Sequence, residues 1–106
     1  MRKMQVQSWK AKNQEGKDIE ESIVEILSVM IGSQKPEDMP RGLEKARMFN
    51  RLISAFDKSK ESKELILEEN DYVYLKKILE NDIPAMWGSN KNIMTAIETF
   101  VELKQE

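Results

Sequence analysis

The side chains with most chemistry to offer are the carboxylates of Glu68, Glu69 and Asp71 and the guanidinium groups of Arg47 and Arg51. Three acids crowded into one turn have the composition of a divalent-cation site or an acid–base pair. They lack the alternating oxygen ligands and turn glycine of a calcium loop, and they stand where a helix is predicted to begin. The positive end of the helix dipole accounts for acids in that place. Arg47 and Arg51 lie one helical turn apart, with Arg41 and Lys45 nearby and Lys58, Lys60 and Lys63 extending the basic block. Such a row contacts phosphates in nucleic-acid-binding proteins, which makes a nucleic-acid-associated regulator the alternative reading. The isoelectric point of about 5.3 and the surrounding acids weigh against it, and a proline-rich connector stands where a two-helix DNA reader needs a short turn.

Missing residues narrow the chemistry further. The chain has no histidine and no cysteine, so the usual general base at neutral pH, the thiolate nucleophile and the commonest transition-metal ligands are lacking. Four isolated glycines build no phosphate-cradling loop, and no serine has a histidine to activate it. The expectation is a non-enzymatic protein with no catalytic residue, no metal and no cofactor. Met86 and Trp87 then become the candidate interface, because large side chains between Pro84 and Gly88 either cap the protein's own core or anchor a partner.

The elements that hold these residues follow from pattern. At 106 residues, 40% apolar and 34% charged, the chain suits one domain, residues 1–106, with a single modest core. Met4, Val6 and Ser8 alternate with Gln5, Gln7 and Trp9 as in a short strand, and Asn13–Lys17 reads as a turn. Asp18, three residues before Glu21, resembles a capping box, so a first helix is expected from Asp18 to about Ile31. Its apolar face is Ile19, Ile23, Ile26, Leu27, Met30 and Ile31, and Gly32 supplies a left-handed cap. Two prolines, Pro36 and Pro40, mark a connector. A second helix with Pro40 in its first turn behind Asp38 carries Leu43, Ala46, Phe49, Leu52, Ile53 and Phe56, and Asp57–Lys63 closes it as a solvated loop.

Leu65–Leu67 is either an edge strand pairing with Val6–Lys10 or an extended lead into the third helix. That helix starts between Glu69 and Asp71, buries Tyr72, Leu75, Ile78 and Leu79 with Val73 widening the face, and stops at Ile83–Pro84. Ser89 or Asn90 caps a fourth, marked by Ile93, Ala96, Ile97, Phe100 and Val101. The fold class expected is α+β, predominantly helical, with about four helices and up to two short strands.

Charge is segregated along the chain. Residues 1–17 carry five basic and one acidic side chain, 18–38 one and six, 41–63 seven and three, and 64–106 four and nine. Neighbouring blocks of opposite sign are expected to meet within the fold as complementary faces. Apolar runs such as Val29–Ile31 are too short to span a bilayer, and Gln5, Gln7 and Ser8 interrupt any signal-peptide core. No membrane association and a cytoplasmic location are therefore expected.

The short leading strand, the helices joined by a Pro-rich connector, and Leu67-Glu68-Glu69-Asn70-Asp71-Tyr72 running into Leu75-Lys76-Lys77-Ile78-Leu79 resemble small bacteriophage or prophage proteins. The resemblance rests on roughly the final 40 residues. It implies the class of small assembly or accessory proteins and assigns no residue a role. The sequence thus points to a protein–protein interaction protein, of the phage morphogenesis or accessory kind, acting by self-association or by docking to a larger partner.

Overall fold

Two separate antiparallel strand pairs and four helices share one apolar core in the computed structural model, which describes residues 1–104 without the side chain of Asp38. The elements run β1 (Arg2–Gln5), β2 (Ser8–Lys12), β3 (Asp18–Ser22), α1 (Ile23–Gly32), a 3-10 turn at Pro36–Asp38, α2 (Leu43–Ser62), β4 (Glu64–Leu67), α3 (Glu69–Asp82), a second 3-10 turn at Ala85–Ser89 and α4 (Lys91–Val101). The protein is an α+β fold, predominantly helical. Its radius of gyration is 13.9 Å, slightly above the roughly 13 Å typical of this length.

Strand β1 pairs with β4, Met4 opposite Leu65 and Arg2 opposite Leu67. Met4, Leu65 and Leu67 turn into the core while Ile66 faces out at 45% exposure, the alternation expected of a strand with one buried face. The Leu65–Leu67 segment is therefore a strand, but its partner lies at Arg2–Gln5 and not at Val6–Lys10. Val6–Lys10 turns away because β2 pairs with β3 as a hairpin, Trp9 opposite Glu21 and Ala11 opposite Ile19. The Asn13–Lys17 turn closes it. Asn13 Oδ1 accepts the backbone N–H groups of Glu15 (2.9 Å) and Lys17 (3.0 Å), and Gly16 takes a φ of 79°, a value that favours glycine.

This hairpin corrects the expected start of the first helix. Asp18–Ser22 is strand, and Ile19 is 38% exposed. The helix begins one box later in the sequence, where the Glu25 carboxylate accepts the Ser22 backbone N–H. Gly32 is the last residue of α1, and the turn ends through Ser33 at φ −95° with no left-handed residue.

Helix α2 differs from expectation at both ends and in phase. It begins at Leu43 with Gly42 (φ 98°) as N-cap, so Pro40 lies outside it and the Asp38 side chain lies outside the described residues. The polar run after Asp57 continues the helix to Ser62, because Lys, Ser and Glu all tolerate helical geometry. Lys63 then stops it in the left-handed region at φ 63°, with its N–H donated to the Ser59 carbonyl. The buried face is Met48, Leu52, Phe56 and Ser59, whereas Leu43 and Ile53 are exposed. Burying Ser59 is tolerated because its hydroxyl donates to the Phe56 carbonyl at 2.6 Å.

Helices α3 and α4 follow their sequence stripes. Tyr72, Leu75, Ile78 and Leu79 are buried on α3, and Ile93, Ala96, Ile97 and Phe100 on α4, with Asn90 Oδ1 accepting the N–H groups of Asn92 and Ile93. Val73 does not widen the face; it is 51% exposed. The Tyr72 and Phe100 rings sit 5.0 Å apart, and the Tyr72 hydroxyl donates to the Phe100 carbonyl at 2.7 Å.

Candidate functional site

The acidic start of α3 is where distant parts of the chain converge. Asp71 is buried, and both its oxygens accept from Arg51 on α2, Oδ1 from Nη2 at 2.8 Å and Oδ2 from Nε at 3.0 Å. Glu68 approaches the same guanidinium at 3.4 Å. Glu69 takes Arg2 of β1 in the same forked manner, at 2.7 and 2.8 Å. Arg2 also donates to the Leu103 carbonyl beyond α4, and its guanidinium carbon lies 4.6 Å from the centre of the Tyr72 ring.

Helix-dipole electrostatics therefore describes only part of the role of Glu68, Glu69 and Asp71. The three acids clamp α2, β1 and the end of α4 onto α3. Hydrogen bonding from Arg2 holds the Glu69 carboxyl below the ordinary carboxylate range, against an opposing effect of burial. With both oxygens of Glu69 and of Asp71 engaged by arginine, these two acids have little capacity left for a cation, and no cluster of acids suited to a metal ion occurs among the described residues.

The arginines meet different fates. Arg51, 40% exposed, is committed to Asp71 and Glu68. Arg47 points to solvent and, among the described residues, pairs only with Glu44, one turn back, at 2.9 Å. Two adjacent cations on one helix thus do not form one free phosphate-facing row. The charge blocks meet within the chain, as Arg2–Glu69, Lys3–Glu64, Lys12–Asp18 and Arg51–Asp71 each join blocks of opposite sign.

Met86 and Trp87 occupy the 3-10 turn between α3 and α4 and divide the two roles considered for them. Trp87 is half-buried and packs against the core, while Met86 projects at 79% exposure, the largest value among the exposed apolar side chains. The turn is fixed by backbone bonds from Trp87 N to the Pro84 carbonyl and from Asn90 N to the Trp87 carbonyl, both 3.0 Å. The result is a flexible thioether held out from the surface by a rigid aromatic base.

Trp9 is half-buried on the hairpin, with its indole N–H donated to Glu21 at 3.1 Å. A cleft of about 310 Å³ between the hairpin and the end of α2 is lined by Ser8, Glu20, Ser22, Glu25, Lys60 and Lys63 among others. Its mixed polar walls contrast with the mainly apolar lining of a small-molecule site.

Sequence reasoning missed the paired arginine clamps and the buried Tyr74 hydroxyl, which has no hydrogen-bond partner among the described residues. Tyr74 packs near Phe49, ring centres 5.9 Å apart, and burial pushes its pKa up with a further contribution from Asp82. An Arg opposite an acidic helix start signals such a clamp only once the long-range pairing is known. No family model, curated protein or solved structure matches the chain.

Proposed function

We propose that this chain is a non-enzymatic protein–protein interaction protein that works in the cytoplasm through a surface centred on Met86 and Trp87. The observation that carries the reading is the pairing of an anchored Trp87 with a Met86 that is 79% exposed. A methionine bends to fit irregular partner surfaces, and an anchored aromatic base spares it the entropic cost of ordering a loop. The protein docks by this tip to a larger partner or to a second copy. The phage or prophage assembly and accessory class implied by the sequence resemblance works by such contacts.

The nucleic-acid reading fits the geometry less well. Of its two proposed phosphate contacts, Arg51 would have to abandon a buried carboxylate, leaving Arg47 alone. Light scattering over a concentration series, with partner capture, tests the interaction reading. A complex that Met86→Ser or Trp87→Ala dissolves supports it, and a strict monomer that retains no partner contradicts it.

A further inference from the structure

The hairpin of β2 and β3 leaves the outer edge of β2 open. Two backbone bonds set the phase of its ladder, Asn13 N to the Lys17 carbonyl and Ile23 N to the Gln7 carbonyl. In that phase Gln7, Trp9 and Ala11 turn their N–H and C=O groups toward β3, and Ser8, Lys10 and Lys12 turn theirs away. No hydrogen bond reaches those outward groups among the described residues. Neighbouring edges are partly plugged. The Ser22 N–H of β3 is taken by Glu25, and both backbone groups of Glu64 on β4 engage the Ser62 hydroxyl.

A two-stranded ribbon is marginal by itself, and a free edge is a template for a third strand. The alternation of β2 states the chemistry of that strand. Lys10 and Lys12 flank the edge on one face, and the half-buried Trp9 and Ala11 flank it on the other. The strand already paired with β2 matches both faces, with Glu20 and Asp18 opposite the two lysines and Ile19 opposite Ala11. A third strand lies about 4.8 Å from β2 and about 10 Å from β3. The lysines therefore oppose it directly, while the acids of β3 stand about a Debye length away. Lys10 has no ion-pair partner among the described residues, and the Lys12–Asp18 pair is exposed on both sides and worth little. Beyond Ser8 the edge opens into the cleft that carries Lys60 and Lys63 on its α2 wall, so a strand has room to continue. We propose that the edge of β2 accepts, by strand addition, an extended partner segment in which acidic and apolar residues alternate. Its carboxylates stand against Lys10 and Lys12 and its apolar side chains beside Trp9 and Ala11. This surface is separate from the Met86 tip and goes beyond it by naming a partner chemistry.

A second copy of the chain fits this edge less well. Antiparallel pairing of β2 with another β2 about Lys10 sets lysine against lysine, a device that keeps like edges apart. Pairing β2 with the β3 of a second copy, in the register used within the hairpin, satisfies the charges but not the space. Both strands join the helical body at the same end of the hairpin, so the two bodies would lie about 10 Å apart. The molecule measures 23 Å across its narrowest axis. A slender extended segment meets neither obstacle.

The test uses synthetic peptides of about eight residues, one alternating Glu with Val, one alternating Lys with Val, and a Glu–Val peptide N-methylated on its bonding amides. Binding to the intact protein is read by fluorescence anisotropy at low and high salt, and the bound site by NMR-detected amide exchange. The Glu–Val peptide should bind at least about tenfold tighter than the Lys–Val peptide, and salt should weaken it. Its binding should slow exchange at the amides of Lys10 and Lys12. N-methylation, which keeps every side chain, should cost about tenfold or more in affinity. Lys10→Pro removes an outward N–H and should do the same. The amides of Trp9 and Ala11 in that variant should stay protected, which shows the hairpin intact.

Equal binding of the Glu–Val and Lys–Val peptides overturns the proposal, as does an N-methylated peptide that binds as tightly as its parent. Binding that leaves the Lys10 and Lys12 amides unprotected places the peptide elsewhere and has the same consequence. Protection of those amides that grows with protein concentration alone assigns the edge to a second copy and also overturns it. Should Lys10→Pro unfold the hairpin, the N-methylated peptide decides the matter on the wild-type protein. If the Glu–Val peptide fails to bind while the Met86 tip still forms a complex, strand addition falls and the interaction reading stands. Failure of every association removes both.

Discussion

The Arg51 guanidinium on α2 grips the Asp71 carboxylate on α3 through two parallel hydrogen bonds of 2.8 and 3.0 Å. Asp71 is 2% exposed, whereas the Arg51 side chain is 40% exposed. The two partners therefore differ in what their loss leaves behind. Removing the carboxylate frees a guanidinium that can turn to Glu68 and to water. Removing the guanidinium strands a charge in the core. Asp71→Ala should cost about 1–3 kcal/mol from lost charged hydrogen bonds, and Arg51→Met should be the more destabilising of the two. Denaturant unfolding of both variants checks the order, and an Arg51→Met protein as stable as wild type would refute it.

Acid and base should each destabilise the fold, for separable reasons. Arg2 holds Glu69 below its reference pKa of 4.5, so this carboxylate contributes stability above its unfolded pKa. That contribution disappears as the pH falls through the lower folded value. Burial raises Tyr72 and Tyr74 above their reference of 10.0, so stability is retained below the unfolded pKa and lost as the pH rises through the folded ones. Thermal melts across pH should show Glu69→Gln flattening the acid limb and Tyr74→Phe the alkaline limb. A Glu69→Gln protein with the wild-type acid limb contradicts the first assignment.

Tyr72 also joins α3 to the end of α4. Its hydroxyl donates to the Phe100 carbonyl at 2.7 Å, a carbonyl that also accepts from Leu103 N. Tyr72→Phe should therefore cost only about 1 kcal/mol, while Phe100→Ala, emptying a site with 0% exposure, should cost about 3–5 kcal/mol. Calorimetric unfolding of the two variants measures the ratio.

Lys63 ends α2 at φ 63°, where a Cβ is strained and glycine is at ease. Lys63→Gly should stabilise the protein by about 0.5–1 kcal/mol, the relief of strain exceeding the added freedom of the unfolded chain. A lower melting temperature would show that the lysine side chain has a structural role that outweighs its backbone strain.

These clamps and caps also explain which features the sequence made legible. Helix α4 and, apart from the exposed Val73, helix α3 carry their apolar residues on the core-facing side, so Tyr72, Leu75, Ile97 and Phe100 could be placed from spacing alone. Helix α2 carries them on two faces. Leu43 and Ile53 looked as apolar as Leu52 and Phe56, and only the packing of Met48 and Ser59 decides which face turns inward. At residues 18–25 two cap patterns overlap, Asp18 with Glu21 and Ser22 with Glu25. The hairpin closed at Gly16 consumes the first and leaves the second to start the helix. The acids of α3 were visible, but their partners lie 20 and 67 positions away in sequence, a separation that local pattern does not span. Met86 and Trp87 stood out by type, and their division into exposed tip and anchored base required the fold.

The central claim, that Met86 and Trp87 form an interface, is tested most directly by light-scattering mass with partner capture for wild type and Met86→Ser. Met86 is 79% exposed, so its replacement should leave the melting temperature unchanged. The account predicts a complex, with a second copy or a larger partner, that Met86→Ser dissolves while folding stays intact. A wild-type protein that remains a strict monomer and retains no partner, or a complex indifferent to Met86→Ser, would contradict it.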